Sequence, residues 1–219
     1  MRKPWVGWIA IVGAFAFSLA TYSRLSERVP IHWNIEFEPN GYASKLTAAL
    51  GLPLLMLSMP VIVAILVKID PRRTSHELHR DTLWAVINLV IVMLGALHVL
   101  VLGLALGWRI DSARAFSILI GGLFVGIGNL LPRIRPNWFF GIRTPWTLSS
   151  DDVWRQTHRL GAWASIAGGL LLAIAGFQPV EWFRSAAWIA SIGLIAAVPI
   201  VYSYVIWMRL GRPRRGARA

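Results

Sequence analysis

Six stretches of this chain run without a single Asp, Glu, Lys or Arg: 6–23, 46–67, 82–108, 115–132, 160–180 and 185–208. Each is between 18 and 27 residues long. A helix needs about 20 mostly apolar residues to cross the hydrocarbon core of a bilayer. All 32 charged residues therefore fall in the remaining 89 positions. The pattern predicts six transmembrane helices, an all-α membrane protein, and it excludes a soluble enzyme.

The residues at and inside these stretches fit the same prediction. Trp5, Trp8, Trp84, Trp108, Trp163, Trp182, Trp188 and Trp207 stand near stretch ends, where an amphipathic ring settles at headgroup level. Pro53, Pro60 and Pro199 lie inside stretches, which neighbouring helices make tolerable in a membrane. Composition adds weight: 56% of residues are hydrophobic and 15% charged, against about 45–50% and 25% in soluble domains. With no cysteine, disulfides, thiolate metal sites and a cysteine nucleophile are excluded.

The net charge of +12 could suggest nucleic acid, but in a six-span protein it records topology. Sixteen of the 22 Lys and Arg lie before the first span, in 68–81, in 133–159 and in the tail from Arg209. The three opposite segments hold six. This distribution places both termini of a multi-pass membrane protein in the cytoplasm. Direct contact with nucleic acid is not expected.

Two halves follow from the spacing. Residues 1–107 form a three-span half with a long outer loop, 24–45. Residues 108–219 form a second three-span half with a long inner loop, 133–159. The two are read as one integrated bundle.

The inner loop begins with two prolines, a glycine and five aromatics among arginines. Arg135 and Thr144 precede prolines and should be extended. Ser149 is expected to cap a helix, with Asp151 and Asp152 in its first turn. On that helix Trp154, His158 and Gly161 share one face, and Asp151, Arg155 and Arg159 another. Arg143, His158 and Arg159 are expected to face one polar pocket for an anion, a lipid headgroup or a protein segment. The planar fork of Arg143 could hold two acceptors at once.

In the outer loop His32, Glu36 and Glu38 are metal-ligand types, but three O/N ligands without a second His make a poor zinc set. Pro39-Asn40-Gly41 reads as a turn. The expected structure is a folded cap, with Trp33, Phe37 and Tyr42 at the interface and Lys45 opening the second span. No metal or cofactor is expected. Within the spans Asn88, His98 and Asn129 are the notable polar residues. His98 reads as a hydrogen-bonded interior histidine, and Asn129 should pair across helices or cap the inner loop. Gly122 and Gly126 have the spacing of helix packing.

Two motif regions carry a resemblance. Gly128-Asn129-Leu130-Leu131-Pro132-Arg133-Ile134-Arg135-Pro136-Asn137, Gly141-Ile142-Arg143-Thr144-Pro145-Trp146-Thr147-Leu148, Val153-Trp154 and Thr157-His158-Arg159 closely resemble the signature of the SdpI family. The outer segment, Ile31-His32-Trp33-Asn34 with Pro39-Asn40, Tyr42 and Ser44-Lys45, looks like the small domain of unknown function that commonly precedes it. The chain departs from the pattern at Phe37, where the family usually has glycine.

The resemblance implies an integral membrane protein that protects its producer against a secreted peptide toxin. In the family's best-known member, toxin binding also holds a transcriptional repressor away from DNA. The residues implicated at the inner loop are Asn129, Pro132, Pro136, Asn137, Gly141, Arg143, Thr144, Pro145, Trp146, Trp154, Thr157, His158 and Arg159. At the outer loop they are His32, Trp33, Asn34, Pro39, Asn40, Tyr42 and Lys45. The expected mechanism is binding, with no catalytic residue and the lipid bilayer as the constant partner. A transporter would need a polar mid-membrane pathway. An intramembrane enzyme would need paired carboxylates or a His/Glu metal set near the surface.

Overall fold

The structure, a computed structural model, describes residues 5–210, and for 73–79 the backbone alone. Its helices are α1 (Trp5–Thr21), α2 (Lys45–Ile69), α3 (Arg73–Ala105), α4 (Ser112–Leu130), α5 (Pro145–Ser149), α6 (Asp151–Ala175), α7 (Glu181–Ile192) and α8 (Val198–Arg209). Among the described residues six helices are long and apolar enough to cross a membrane, α7 and α8 joining into the sixth. The protein is a six-span helical membrane protein. Its surface agrees: Leu19 is 83% exposed, Trp163 69% and Ile189 63%, and such apolar faces require lipid.

The first three spans pack around Ile11, Met56, Leu83, Ile87 and Ile91. Polar side chains stitch them together. The Ser18 hydroxyl donates to the Ala49 carbonyl at 2.6 Å, and His98 Nε2 lies 2.7 Å from Ser18 Oγ. His98 is thus the interior, hydrogen-bonded histidine expected of it. Asn88 Oδ1 accepts the Gly7 N–H at 3.0 Å, anchoring α1 to α3.

In the second half α4 and α6 run in backbone contact. The seam is Gly121 and Gly128 on α4 against Gly169 and Ala162 on α6. Glycine serves here because any side chain would strike the facing main chain. The expected pair, Gly122 and Gly126, is not that seam: a Cβ on Gly122 would meet open space, and one on Gly126 would meet Leu89 of α3. The relevant spacing is seven residues, two helical turns, rather than four. Between α7 and α8 the helix widens into a π turn, Gly193–Ala197. Pro199 follows, which lacks an N–H and crowds the preceding turn, so the wider turn relieves the conflict.

Among the described residues the only strands lie in the cap between α1 and α2. β1 (Arg28–Trp33) and β2 (Pro39–Ser44) form an antiparallel hairpin, with Val29 fully buried. Pro39-Asn40-Gly41, expected as a turn, belongs to β2. The chain reverses instead at 34–38: the Asn34 N–H donates to the Glu38 carbonyl at 2.9 Å. The Asn34 side chain accepts the Glu38 N–H at 2.8 Å. Asparagine builds such a turn by mimicking backbone. Phe37 sits at the tip with φ of 66°, a left-handed conformation rare for an aromatic residue.

Candidate functional site

The second long loop, 134–150, folds into a compact knot. Asn137 is fully buried and makes four hydrogen bonds. Its Nδ2 donates to the carbonyls of Arg135 (2.8 Å) and Phe140 (3.1 Å). Its Oδ1 accepts the N–H groups of Phe139 (2.9 Å) and Phe140 (2.7 Å). One side chain thereby satisfies a chain reversal that no helix or sheet could. Asp70, after α2, accepts the Trp138 N–H at 3.0 Å and ties the knot to the first half.

The knot docks on α6. The Trp154 indole donates to the Ile134 carbonyl at 2.9 Å. His158 Nε2 accepts the Ile142 N–H at 3.1 Å, so Nδ1 carries the proton and faces the Trp154 carbonyl at 2.9 Å. The two rings stack with centroids 4.1 Å apart. Gly141, at φ of 99°, passes directly over them. A Cβ there would overlap His158 Nε2 and press on the Trp154 ring.

Thr144 is extended, as its place before Pro145 requires, and forms a capping box with Thr147. Pro145 opens α5, where its missing N–H costs nothing. The Thr144 hydroxyl reaches Ser203 of α8 at 3.0 Å, and Trp146 packs on Tyr204. Ser150, not Ser149, caps α6, because α5 uses Ser149 as its last residue. The two predicted faces of α6 hold: Trp154, His158 and Gly161 are buried, while Asp151, Arg155 and Arg159 are exposed. Thr157 is buried with no partner for its hydroxyl.

Two residues of the motif, Asn129 and Arg143, stand elsewhere than expected. Asn129 neither pairs across helices nor caps the loop; its Nδ2 donates to Val125 of its own helix at 2.8 Å. Arg143 is exposed and donates once, to the Trp138 carbonyl at 2.9 Å. One acceptor is within reach of a lysine too, so the two-acceptor argument for an arginine here lapses. Arg143 is also not among the residues around the cavity that His158 and Arg159 border. That cavity, about 830 Å³, is lined by His158, Arg159, Pro132 and Pro136, and also by Arg133, Arg135 and Arg155. The signal for the last three was their density within one short segment.

At the other end of the bundle a second cavity of about 670 Å³ opens under the hairpin. It is almost wholly apolar. Trp33 meets Phe116 at 4.9 Å between centroids, and Phe37 meets Trp188 at 5.6 Å. Leu52 and Leu55 of α2 and Leu97 and Val101 of α3 line it. Gly51 does too, and a Cβ added there would meet open space. Trp33 and Asn34 line this groove together with His32. His32 Nδ1 engages Asn40 Oδ1 at 2.6 Å. Tyr42 lies under the Arg28 guanidinium, with Pro39 backing its hydroxyl. Lys45 pairs with Glu27 at 2.6 Å. The last three brace the hairpin and do not enter the groove. Sequence reasoning missed Phe116, Trp188 and Gly51, which come from three different spans.

Residues 133–203 match the SdpI/YfhL protein family, and residues 9–57 match the domain of unknown function DUF1648. The chain is similar to the immunity protein SdpI of Bacillus subtilis (strain 168), with 24% identity over 184 residues. That alignment covers 83% of this chain and 85% of the relative. No solved structure matches.

Proposed function

We propose that this SdpI-family membrane protein is an immunity protein that acts by binding a secreted peptide toxin, without catalysis. The supporting relative is the immunity protein of Bacillus subtilis. The observation that carries the binding reading is the outer groove: about 670 Å³, apolar, roofed by aromatic rings and formed by four spans and the hairpin. Sites of this size and character take small or extended apolar ligands. An apolar stretch of a peptide entering from the outer leaflet would exchange lipid for close-packed aromatic side chains. Both termini lie in the cytoplasm in this reading, as the excess of Lys and Arg in the opposite segments supports, and the membrane is the bacterial inner membrane. The knot at 134–150, braced on α6 and α8, is the element that would report occupancy to a transcriptional repressor. Such coupling requires the toxin to favour one arrangement of the bundle.

The test uses a sensitive bacterium challenged with the secreted peptide fraction of the producing strain. Expression of the chain is expected to raise survival while mass spectrometry recovers the peptide intact. Gly51→Phe fills the groove from an open position and is expected to abolish protection at unchanged abundance. Gly13→Phe, on α1 where a Cβ also meets open space, should protect normally. Protection by Gly51→Phe equal to the parent would remove the groove from the mechanism, and loss of intact peptide would indicate an enzyme.

A further inference from the structure

The inner cavity has an excess of cations that the protein itself does not neutralise. Four arginines line it, Arg133, Arg135, Arg155 and Arg159, with Asp151 and Asp152. Both carboxylates are already engaged. Asp152 pairs with Arg155, and Asp151 pairs with Arg72 at 3.1 Å. His158 has nothing to offer, since both its ring nitrogens are used within the knot. Arg133, Arg135 and Arg159 are left with no hydrogen-bond or ion-pair partner among the described residues. They come from two elements: the first two flank the turn that ends α4, and the third stands two turns into α6.

Solvated arginines normally spread over a membrane face. Here they border one cavity together with Ile134, Pro132, Pro136 and Trp154. Low-dielectric walls around like charges focus an attractive field for an anion. The guanidinium fork matches the oxygens of a phosphate group two at a time, which a carboxylate-poor, arginine-rich cavity favours. A volume of about 830 Å³ exceeds what one small ion fills and lies in the range of about 300–1,000 Å³ typical of ligand sites. The cavity also sits where the spans of α4 and α6 end.

We propose that this cavity binds a phosphate group at the inner membrane face, held by Arg133, Arg135 and Arg159. A lipid headgroup and a free phosphate present the same chemistry. Occupancy would bridge the turn after α4 to α6 and so clamp the base of the knot. This site is separate from the outer groove and does not depend on the toxin reading.

The experiment titrates the purified full-length protein, in a zwitterionic detergent, with a short-chain phosphatidylglycerol and separately with inorganic phosphate, by calorimetry. Arg135→Gln with Arg159→Gln is expected to weaken binding about tenfold or more, as loss of two charge-assisted contacts implies. Arg24→Gln with Arg109→Gln, which changes charge equally at the other face, is expected to bind as the parent does. Competition by inorganic phosphate assigns the free anion as ligand; binding of phosphatidylglycerol alone assigns the headgroup. Arg135→Lys with Arg159→Lys keeps the charges and should bind with intermediate affinity, which guards against a folding defect in the glutamine pair. Binding of neither probe overturns the proposal. So does parental affinity in the glutamine pair, or an equal loss in the outer pair.

Discussion

Gly169→Leu is expected to prevent this protein from accumulating as a folded bundle. A Cβ at Gly169 would lie 2.5 Å from the Gly121 carbonyl oxygen and 2.9 Å from the Val125 nitrogen. Both obstacles are main chain, so no rotamer change clears them. A Cβ at Gly128, two turns along α4 from Gly121, would likewise stand 2.7 Å from the Ala162 carbonyl. The whole seam is therefore set for one interhelical distance, and leucine must drive α4 and α6 apart. In lipid, separated helices regain no hydrophobic term, because association rests on packing itself. Overpacking a tight contact costs about 1–3 kcal/mol in soluble cores, and a backbone-to-backbone seam belongs at or above the top of that range. Unfolding in graded detergent, with membrane abundance alongside, measures the loss. Gly122→Leu points into open space and should behave as the parent. A Gly169→Leu protein as stable as that control would show that the seam is not close-packed.

The second large effect concerns Asn137. Asn137→Asp is expected to unfold the inner knot while leaving the six spans in place. The parent amide donates twice and accepts twice, and aspartate can only accept when ionised. The substituted oxygen would face the carbonyls of Arg135 and Phe140 in a site with no exposure to solvent. Leaving those two acceptors unpaired and burying a charge beside them costs about 3 kcal/mol or more. Asn137→Ala loses all four bonds but buries no charge, and should be milder by about 1–2 kcal/mol. Hydrogen exchange of the amides of Phe139, Phe140 and Ile142 reads the result directly. Protection in Asn137→Asp equal to the parent would mean that the knot is held from elsewhere.

The spans were legible because charge-free length is a property of each segment alone. So were the faces of α6, since i, i+4 neighbours need only a helix. His98 was legible as interior because a polar group at that depth must find a partner. What escaped was whatever depends on geometry between segments. The α4–α6 seam uses positions seven apart, which only the facing backbone of α6 selects over Gly122 and Gly126. The hairpin turn went to Asn34 because Pro39 and Gly41 are drawn into pairing with β1. Arg143 looked decisive from its apolar neighbours, yet the knot turned it outward and left the cavity to Arg133, Arg135 and Arg155. The groove was invisible for the same reason: Gly51, Phe116 and Trp188 are neighbours only after three spans assemble.

Phe37 combines a left-handed backbone with a ring lying among Phe116, Trp188 and the Arg184 guanidinium. The conformation costs on the order of 1–2 kcal/mol for a residue with a side chain, and the aromatic contacts offset it. The two terms are tied to one residue, so they rise and fall together. A ligand that pushes the ring aside also frees residue 37 to leave the left-handed region, and the stored strain is returned at that moment. By this arithmetic the half-buried Phe37 ring would be easier to lift than its contacts alone imply. A glycine at this position has neither ring nor strain, and the same hairpin would then be a doorway without a door.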